Sequence, residues 1–177
     1  MKLEKLIALI KKGDKTAPKQ LYMETYKLLY VIAIRYVTYD DRAKDVLQNT
    51  YLKIFKFISG MQYTTEASAM AWMKKICVNE SLKLINKNKI WKRNSTAENE
   101  YVVGNNHQLY KDEIFKTLLK LTEIQRIVFS LFVIEGYSHK EIAEQLDITE
   151  NYSRTILGRA KKTLALYLSK DIANETA

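Results

Sequence analysis

Apolar residues recur at three- and four-residue steps along most of the chain, the spacing of one helix face. Period-two alternation is hard to find, and hairpin dipeptides such as Asn-Gly are absent. The pattern predicts a short helix near Leu3–Lys11, ending at Gly13. A second helix starts near Pro18, a residue favoured in a first turn, and runs to about Thr38. Asp40 or Asp41 is expected to cap a third, which continues through Ile58 and stops before Gly60. A fourth begins after Thr64 and Thr65 and extends through Trp72 to about Lys89. Residues 94–107 (NSTAENEYVVGNNH) lose the period and read as a polar linker. Helices resume near Tyr110, and Thr122 with Gln125 makes a capping box that opens a helix to Glu135. The expected fold is all-α: two small helical domains, 1–92 and 109–170, a flexible linker over 93–108 and a tail over 171–177.

The last pair of helices has the most detailed local chemistry. Residues 138–162 read SHKEIAEQLDITENYSRTILGRAKK. Ser138 is a good N-cap, with Glu141 three residues on, as a capping box requires. Ile142, Ala143 and Leu146 fall on one face. Asp147 stands where a tight turn needs a left-handed backbone, which Asp tolerates better than most residues. Thr149 is expected to cap the next helix. There Ser153, Leu157, Ala160 and Leu164 form the inward stripe. Asn151, Arg154, Thr155, Gly158, Arg159, Lys161 and Lys162 are left outward, and no acid follows Glu150 within the segment. This predicts a helix-turn-helix whose second helix enters the major groove of duplex DNA. The plainer reading is a helical hairpin with a solvated basic face. Ile156 has two readings, packing against the neighbouring helix or touching a thymine methyl.

Composition narrows the class of partner. The chain has 177 residues, 47% of them hydrophobic, enough for one large or two small domains. A net charge of +9 favours an anionic partner, nucleic acid or a membrane surface. Cys77 is the only cysteine, so no internal disulfide forms, and a reducing cytoplasm is expected. No apolar run approaches the roughly 20 residues that span a bilayer. The N-terminal MKLEKLIALIKKGDK reads as an amphipathic helix and not a signal peptide, because Glu4 interrupts its short apolar stretch. No His-Glu-x-x-His, Cys-x-x-Cys, Walker loop or Gly-x-Ser-x-Gly occurs. His139 reads as an exposed residue near a helix start, and Cys77 as a small core residue. Neither catalysis nor a metal or cofactor is expected.

Two faces in the first half complete the picture. In the third helix, Asp45, Gln48, Asn49 and Tyr51 are read as a mixed polar and aromatic surface, with Val46, Leu47, Thr50, Leu52, Ile54, Phe55 and Ile58 on the apolar side. Alone, this is an ordinary solvated face. The fourth helix places Met70, Met73, Ile76, Cys77, Leu84 and Ile85 inward, and it is otherwise rich in lysine and asparagine. From Leu82 to Asn94 it carries no acid, and Trp72 and Trp91 lie near its ends. Lysine with asparagine and aromatics suits a single strand whose backbone is neutralised while its bases stack. A solvated lysine face with Trp72 in the core is the alternative.

The segments LYVIAIRYVTYDDRAKDVLQNTYLKIFKF, AMAWMKKICVNESLKLINK and IFKTLLKLTEIQRIVFSLFVIEGYSHKEIAEQLDITENYSRTILGRAKKTL, in this order, resemble a sigma factor of bacterial RNA polymerase of the extracytoplasmic-function (ECF) group. The serine-containing second helix and the VIEGYSHKEIAEQL run resemble Bacteroidetes-type members. The resemblance implies that Asp45, Gln48 and Tyr51, with Asn49 alongside, dock on the β′ coiled coil of core polymerase. It implies that Asn79, Lys83, Asn86 and Lys87 open and read the minus-ten element, with Trp72 supporting the helix. The loop from Gly60 to Ser68 would hold an unstacked base, with Tyr63 as its stacking partner. Asn151, Tyr152, Arg154, Thr155, Gly158 and Arg159 would read the minus-thirty-five element, and their domain would touch the β flap. An anti-sigma factor is a further implied partner. Four departures stand out: Asn49 where an acid is common, Thr122 where a proline is common, Ile156 where a basic or amide residue is common, and Ser153 where valine is common. The last suggests a looser contact beneath the recognition helix. A helix-turn-helix regulator with a helical effector or dimerisation domain is the second hypothesis, disfavoured by the lysine–asparagine helix. A membrane-surface or protein-interaction module is the third, disfavoured by the capping and turn chemistry of Ser138–Thr149.

Overall fold

The computed structural model describes residues 3–62, 65–88 and 113–175, and no strand occurs among them. The chain divides into two compact units, Met1–Leu84 and Ile85–Ala177. The expected linker over 93–108 lies outside the described residues.

In the first unit, α1 (Leu3–Lys11), α2 (Ala17–Val37), α3 (Asp40–Phe57) and the greater part of α4 (Glu66–Asn88) assemble around one core. The α1–α2 turn is set by Asp14, whose Oδ1 accepts from the backbone N–H groups of Thr16 and Ala17 at 2.7 and 2.9 Å. A bond from the Thr16 hydroxyl, together with these two, stabilises the charged form and holds the Asp14 carboxyl below its ordinary range. Thr38 ends α2 in the left-handed region (φ 58°) and donates its N–H to the Ile34 carbonyl. The expected aspartate cap of α3 is not formed: Tyr39 is the N-cap, and Asp40 is already helical. There Asp40 accepts a 2.5 Å bond from the Tyr30 hydroxyl and pairs with Lys44, and its carboxyl is held below the ordinary range by these two. Helix α4 opens on reciprocal bonds between Thr65 and Ser68 at 3.1 and 3.2 Å. Cys77 is buried, its thiol donating to the Leu29 carbonyl at 3.4 Å, so it joins α4 to α2 as a core residue.

The second unit contains α5 (Glu113–Leu118), α6 (Glu123–Phe129), a π-helical turn (Ser130–Ile134), α7 (His139–Leu146) and α8 (Glu150–Glu175). Gln125 accepts from the Thr122 N–H at 3.1 Å, one half of the expected capping box. The expected α-helix to Glu135 instead widens at Ser130: the Glu135 N–H donates to the Ser130 carbonyl, five residues back, at 3.0 Å. Gly136, at φ 77°, then turns the chain, and the Tyr137 N–H reaches the Leu131 carbonyl at 2.9 Å. Leu118, Leu121 and Ala160 form a buried cluster on which Phe129 and Leu164 pack. Helix α8 continues to Glu175, through most of the stretch expected to be a tail.

Candidate nucleic-acid interface

The turn between α7 and α8 forms as its chemistry requires. Ser138 accepts from the Glu141 N–H at 3.2 Å, while Glu141 accepts from the Ser138 N–H at 2.8 Å. Asp147 adopts φ 54° and ψ 53°, the left-handed conformation expected of it. The Tyr152 N–H donates to Thr149 Oγ1 at 3.2 Å, so Thr149 caps α8.

Helix α8 is then sharply two-sided. Ser153, Ile156, Leu157 and Ala160 are buried. At 100° per residue, Asn151, Tyr152, Arg154, Thr155, Gly158 and Arg159 spread over about 160° of the opposite arc, and all six are exposed. Ile156, 2% exposed, packs inward, and the thymine-methyl reading is excluded for this conformation. Arg154 is not idle: its guanidinium holds Glu150 at 2.8 Å and Asn151 Oδ1 at 3.3 Å.

Helix α4 carries a second such face. Trp72, Asn79, Lys83, Asn86 and Lys87 fall within about 100° of arc. The last four are exposed and Trp72 is half-buried. Tyr63 lies outside the described residues. One acid on this helix was missed: Glu80, beside Asn79, is 6% exposed and pairs with Lys53 of α3 at 2.5 Å. Its apolar neighbours one helical turn away, Ile76, Cys77 and Leu84, were the available signal, since a carboxylate on the buried side of a helix demands a cationic partner.

The α3 surface is corrected in one residue. Asp45, Gln48 and Asn49 are exposed, as expected. Tyr51 is not part of that surface: it is 5% exposed, and its hydroxyl bonds Thr25 Oγ1 at 2.8 Å. Steps of three residues fall about 60° short of a full turn each time, so an i, i+3, i+6 series winds off the face it started on. Leu52, placed on the apolar side by its side chain, lies between Gln48 and Asn49 in rotation and is 63% exposed. His139 is corrected too. Its ring stacks on Phe132 at 4.4 Å, and Nδ1 lies 2.9 Å from the buried Ser153 hydroxyl. The contact beneath α8 at Ser153 is therefore polar and specific where a looser one was expected.

No group of three metal-binding side chains gathers among the described residues. Among them, no helix is long and apolar enough to cross a membrane.

Comparison with known proteins finds two matched regions. Residues 21–90 match the model for sigma-70 region 2, and residues 111–164 match that for sigma-70 region 4. The ECF RNA polymerase sigma-E factor of Haemophilus influenzae is 24% identical, over 90% of this chain and 91% of its own length. The ECF RNA polymerase sigma factor SigM of Mycobacterium tuberculosis is 25% identical, over 88% of this chain and 79% of its own. Among solved structures, CnrH in complex with the cytosolic domain of CnrY aligns with a TM-score of 0.50 at 21% identity, covering 94% of this chain and 96% of that one. The sigma factor RpoE in complex with the anti-sigma factor NepR, from Bartonella quintana, aligns with the same score and identity, covering 85% and 96%. The two matched regions together span well over half of the sequence, in order, and relatives matched over most of their length share one description: the chain belongs to the ECF family of RNA polymerase sigma factors.

Proposed function

We propose that the exposed faces divide the work of promoter recognition between two domains, 1–92 and 109–170, tethered through residues 93–108. The observation that carries this reading is the pair of acid-poor, amide- and cation-bearing faces on α4 and α8, one in each matched region. Helix α8, through Asn151, Arg154, Thr155 and Arg159, reads duplex DNA at the minus-thirty-five element. Tyr152 and Gly158 bring side chain and backbone close to the phosphates. Helix α4 meets the strand that is opened at the minus-ten element. Lys83 and Lys87 neutralise phosphate, and Asn79 and Asn86 hydrogen-bond bases. Trp72 supports that face, and Tyr63 stacks on an extruded base. Asp45, Gln48 and Asn49 dock on the β′ coiled coil, and the α8 domain touches the β flap. Tethering by polymerase raises the effective concentration of two individually weak contacts.

Sigma factors are initiation factors rather than enzymes, so this chain supplies recognition and melting while polymerase supplies chemistry. An anti-sigma factor is a further partner in this reading, supported by two structural neighbours that are each described in complex with a second protein. The site of action is the cytoplasm, and the chain is of the Bacteroidetes type, supported by the VIEGYSHKEIAEQL run.

Run-off transcription with core polymerase on fragmented genomic DNA tests the reading and returns the promoter. The expected result is initiation at a subset of fragments, dependent on this chain. Failure to co-elute with core polymerase at any salt concentration, with no promoter-dependent transcript, overturns it.

A further inference from the structure

Serine in a helix usually bonds the carbonyl one turn back, and Thr155 of α8 does so, donating to the Asn151 carbonyl at 2.9 Å. Ser153, two residues earlier, reaches across the turn instead. Its hydroxyl is completely buried and lies 2.9 Å from Nδ1 of His139, the first residue of α7. The imidazole is not free to follow α8, because its ring is stacked on Phe132 at 4.4 Å with planes 24° apart. Phe132 belongs to the π-helical turn. Three elements thus meet on one side chain, and one of them is the N-terminal part of α8, where base-reading residues sit.

The rest of the α8 seam is Ile156, Leu157 and Ala160. Apolar contacts of this kind set the distance between helices but are tolerant of small rotations, because they have no directional term. A hydrogen bond is directional and loses strength steeply as its angle closes. Rotation matters here. Turning a helix by about 20° moves atoms at its outer radius of about 5.5 Å by roughly 2 Å, more than a base-edge hydrogen bond tolerates. Tyr152 and Arg154 flank Ser153 directly and are both exposed.

We propose that His139 is a positioning residue for minus-thirty-five recognition: clamped on Phe132, it fixes the rotation of α8 through Ser153. His139 touches no base in this scheme. It acts through Ser153 on Arg154 and Thr155, and so sets sequence discrimination rather than overall attraction to DNA. The proposal rests on the reading of α8 as the minus-thirty-five helix.

The test uses the full chain with core polymerase and two promoters that share a minus-ten element. One has an intact and one a scrambled minus-thirty-five element. The ratio of their initiation rates is the measure of discrimination. Ser153→Val and Ser153→Thr have the same shape, and only threonine keeps the hydroxyl. The valine variant is expected to lower the ratio about three- to tenfold, the range for losing one buried hydrogen bond. The threonine variant should stay within about twofold of wild type. His139→Phe keeps the stacking and loses the bond, so it should match Ser153→Val, and the double variant should be no worse than either. An unchanged ratio in Ser153→Val and His139→Phe overturns the proposal, as does an equal fall in Ser153→Thr and Ser153→Val. A wild-type ratio of one would sink the reading of α8 itself, and this proposal with it.

Discussion

Tyr51 and Thr25 share a 2.8 Å hydrogen bond between their hydroxyls in the interior of the first unit. Thr25 also donates to the Leu21 carbonyl at 2.7 Å, so the bonded hydrogen between the two hydroxyls comes from Tyr51. The pair ties α3 to α2 and separates the two faces of α3. Asp45→Ala or Gln48→Ala should weaken binding to core polymerase in a titration while leaving the melting temperature within about 1–2 °C, as expected of exposed sites. Tyr51→Phe should do the reverse. It should cost about 1 kcal/mol of stability and leave polymerase affinity unchanged. Equal loss of affinity in Tyr51→Phe and Gln48→Ala would return Tyr51 to the docking surface.

Burial pushes the Tyr51 phenol up to about 12. The unfolded phenol ionises near 10. The folded state therefore holds its proton more tightly, and the stability this provides is complete below pH 10. It is lost as pH rises from there through about 12. Tyr51→Phe should be less sensitive than wild type over that window in alkaline denaturation followed by circular dichroism.

Lys53 and Glu80 join α3 to α4 within the first unit, with the lysine 45% and the glutamate 6% exposed. Lys53→Met leaves a carboxylate with little access to water. The expected cost is about 1–3 kcal/mol in urea denaturation, at the lower end if water reaches the carboxylate. Glu80→Gln, which removes the charge and keeps the shape, should cost less. If both changes are neutral, the pair does not hold the two helices.

Arg154 is held by Glu150 in a pair exposed on both sides, 54% and 41%, so the arrangement is weak enough to exchange for DNA. Arg154→Ala should cost about 1–3 kcal/mol in discrimination at one or two upstream positions if the contact is to a base. Equal loss on all upstream sequences would make it a phosphate contact. Glu150→Gln releases the guanidinium and removes an acid from the proposed DNA face. It should tighten upstream binding by about two- to fivefold at low salt, with the gain shrinking as salt rises.

Burial against its neighbours depresses the His139 pKa, and the Arg154 and Lys161 charges add to this while Glu150 opposes it. The unfolded imidazole, near 6.5, takes its proton first as pH falls. Stability is therefore unaffected above that value, declines as pH drops from it to the lowered folded value, and levels off below. Melting temperatures from about pH 8 to about pH 5 should show wild type losing ground to His139→Phe on the acid side. Parallel curves would place His139 in a solvated environment.

Much of this architecture is legible from residue order because it is local. The Ser138–Glu141 box, the left-handed Asp147 and the Thr149 cap each depend on a few consecutive residues, and all three form as the spacing predicts. The inward and outward sides of α8 follow equally from its period. What is not legible is relational. Burial of Tyr51 depends on Thr25, twenty-six positions away, and the value of Glu80 depends on Lys53. His139 looks exposed from its own neighbours, because the ring that covers it and the serine that bonds it come from other elements. Leu52 shows the opposite failure: an apolar side chain suggested the core, and rotation placed it on the surface.

The widened turn at Ser130–Ile134 has a consequence for how this chain can vary. A π turn encloses one residue more than the α turn it replaces. No substitution removes that extra residue, but deletion of a single codon in this stretch does. Such a deletion would return this turn to α-helical hydrogen bonding and shift the register of Phe132, on which His139 stacks. Chain length at this one spot is therefore a heritable setting of the seat beneath α8, out of reach of any scan that only exchanges side chains.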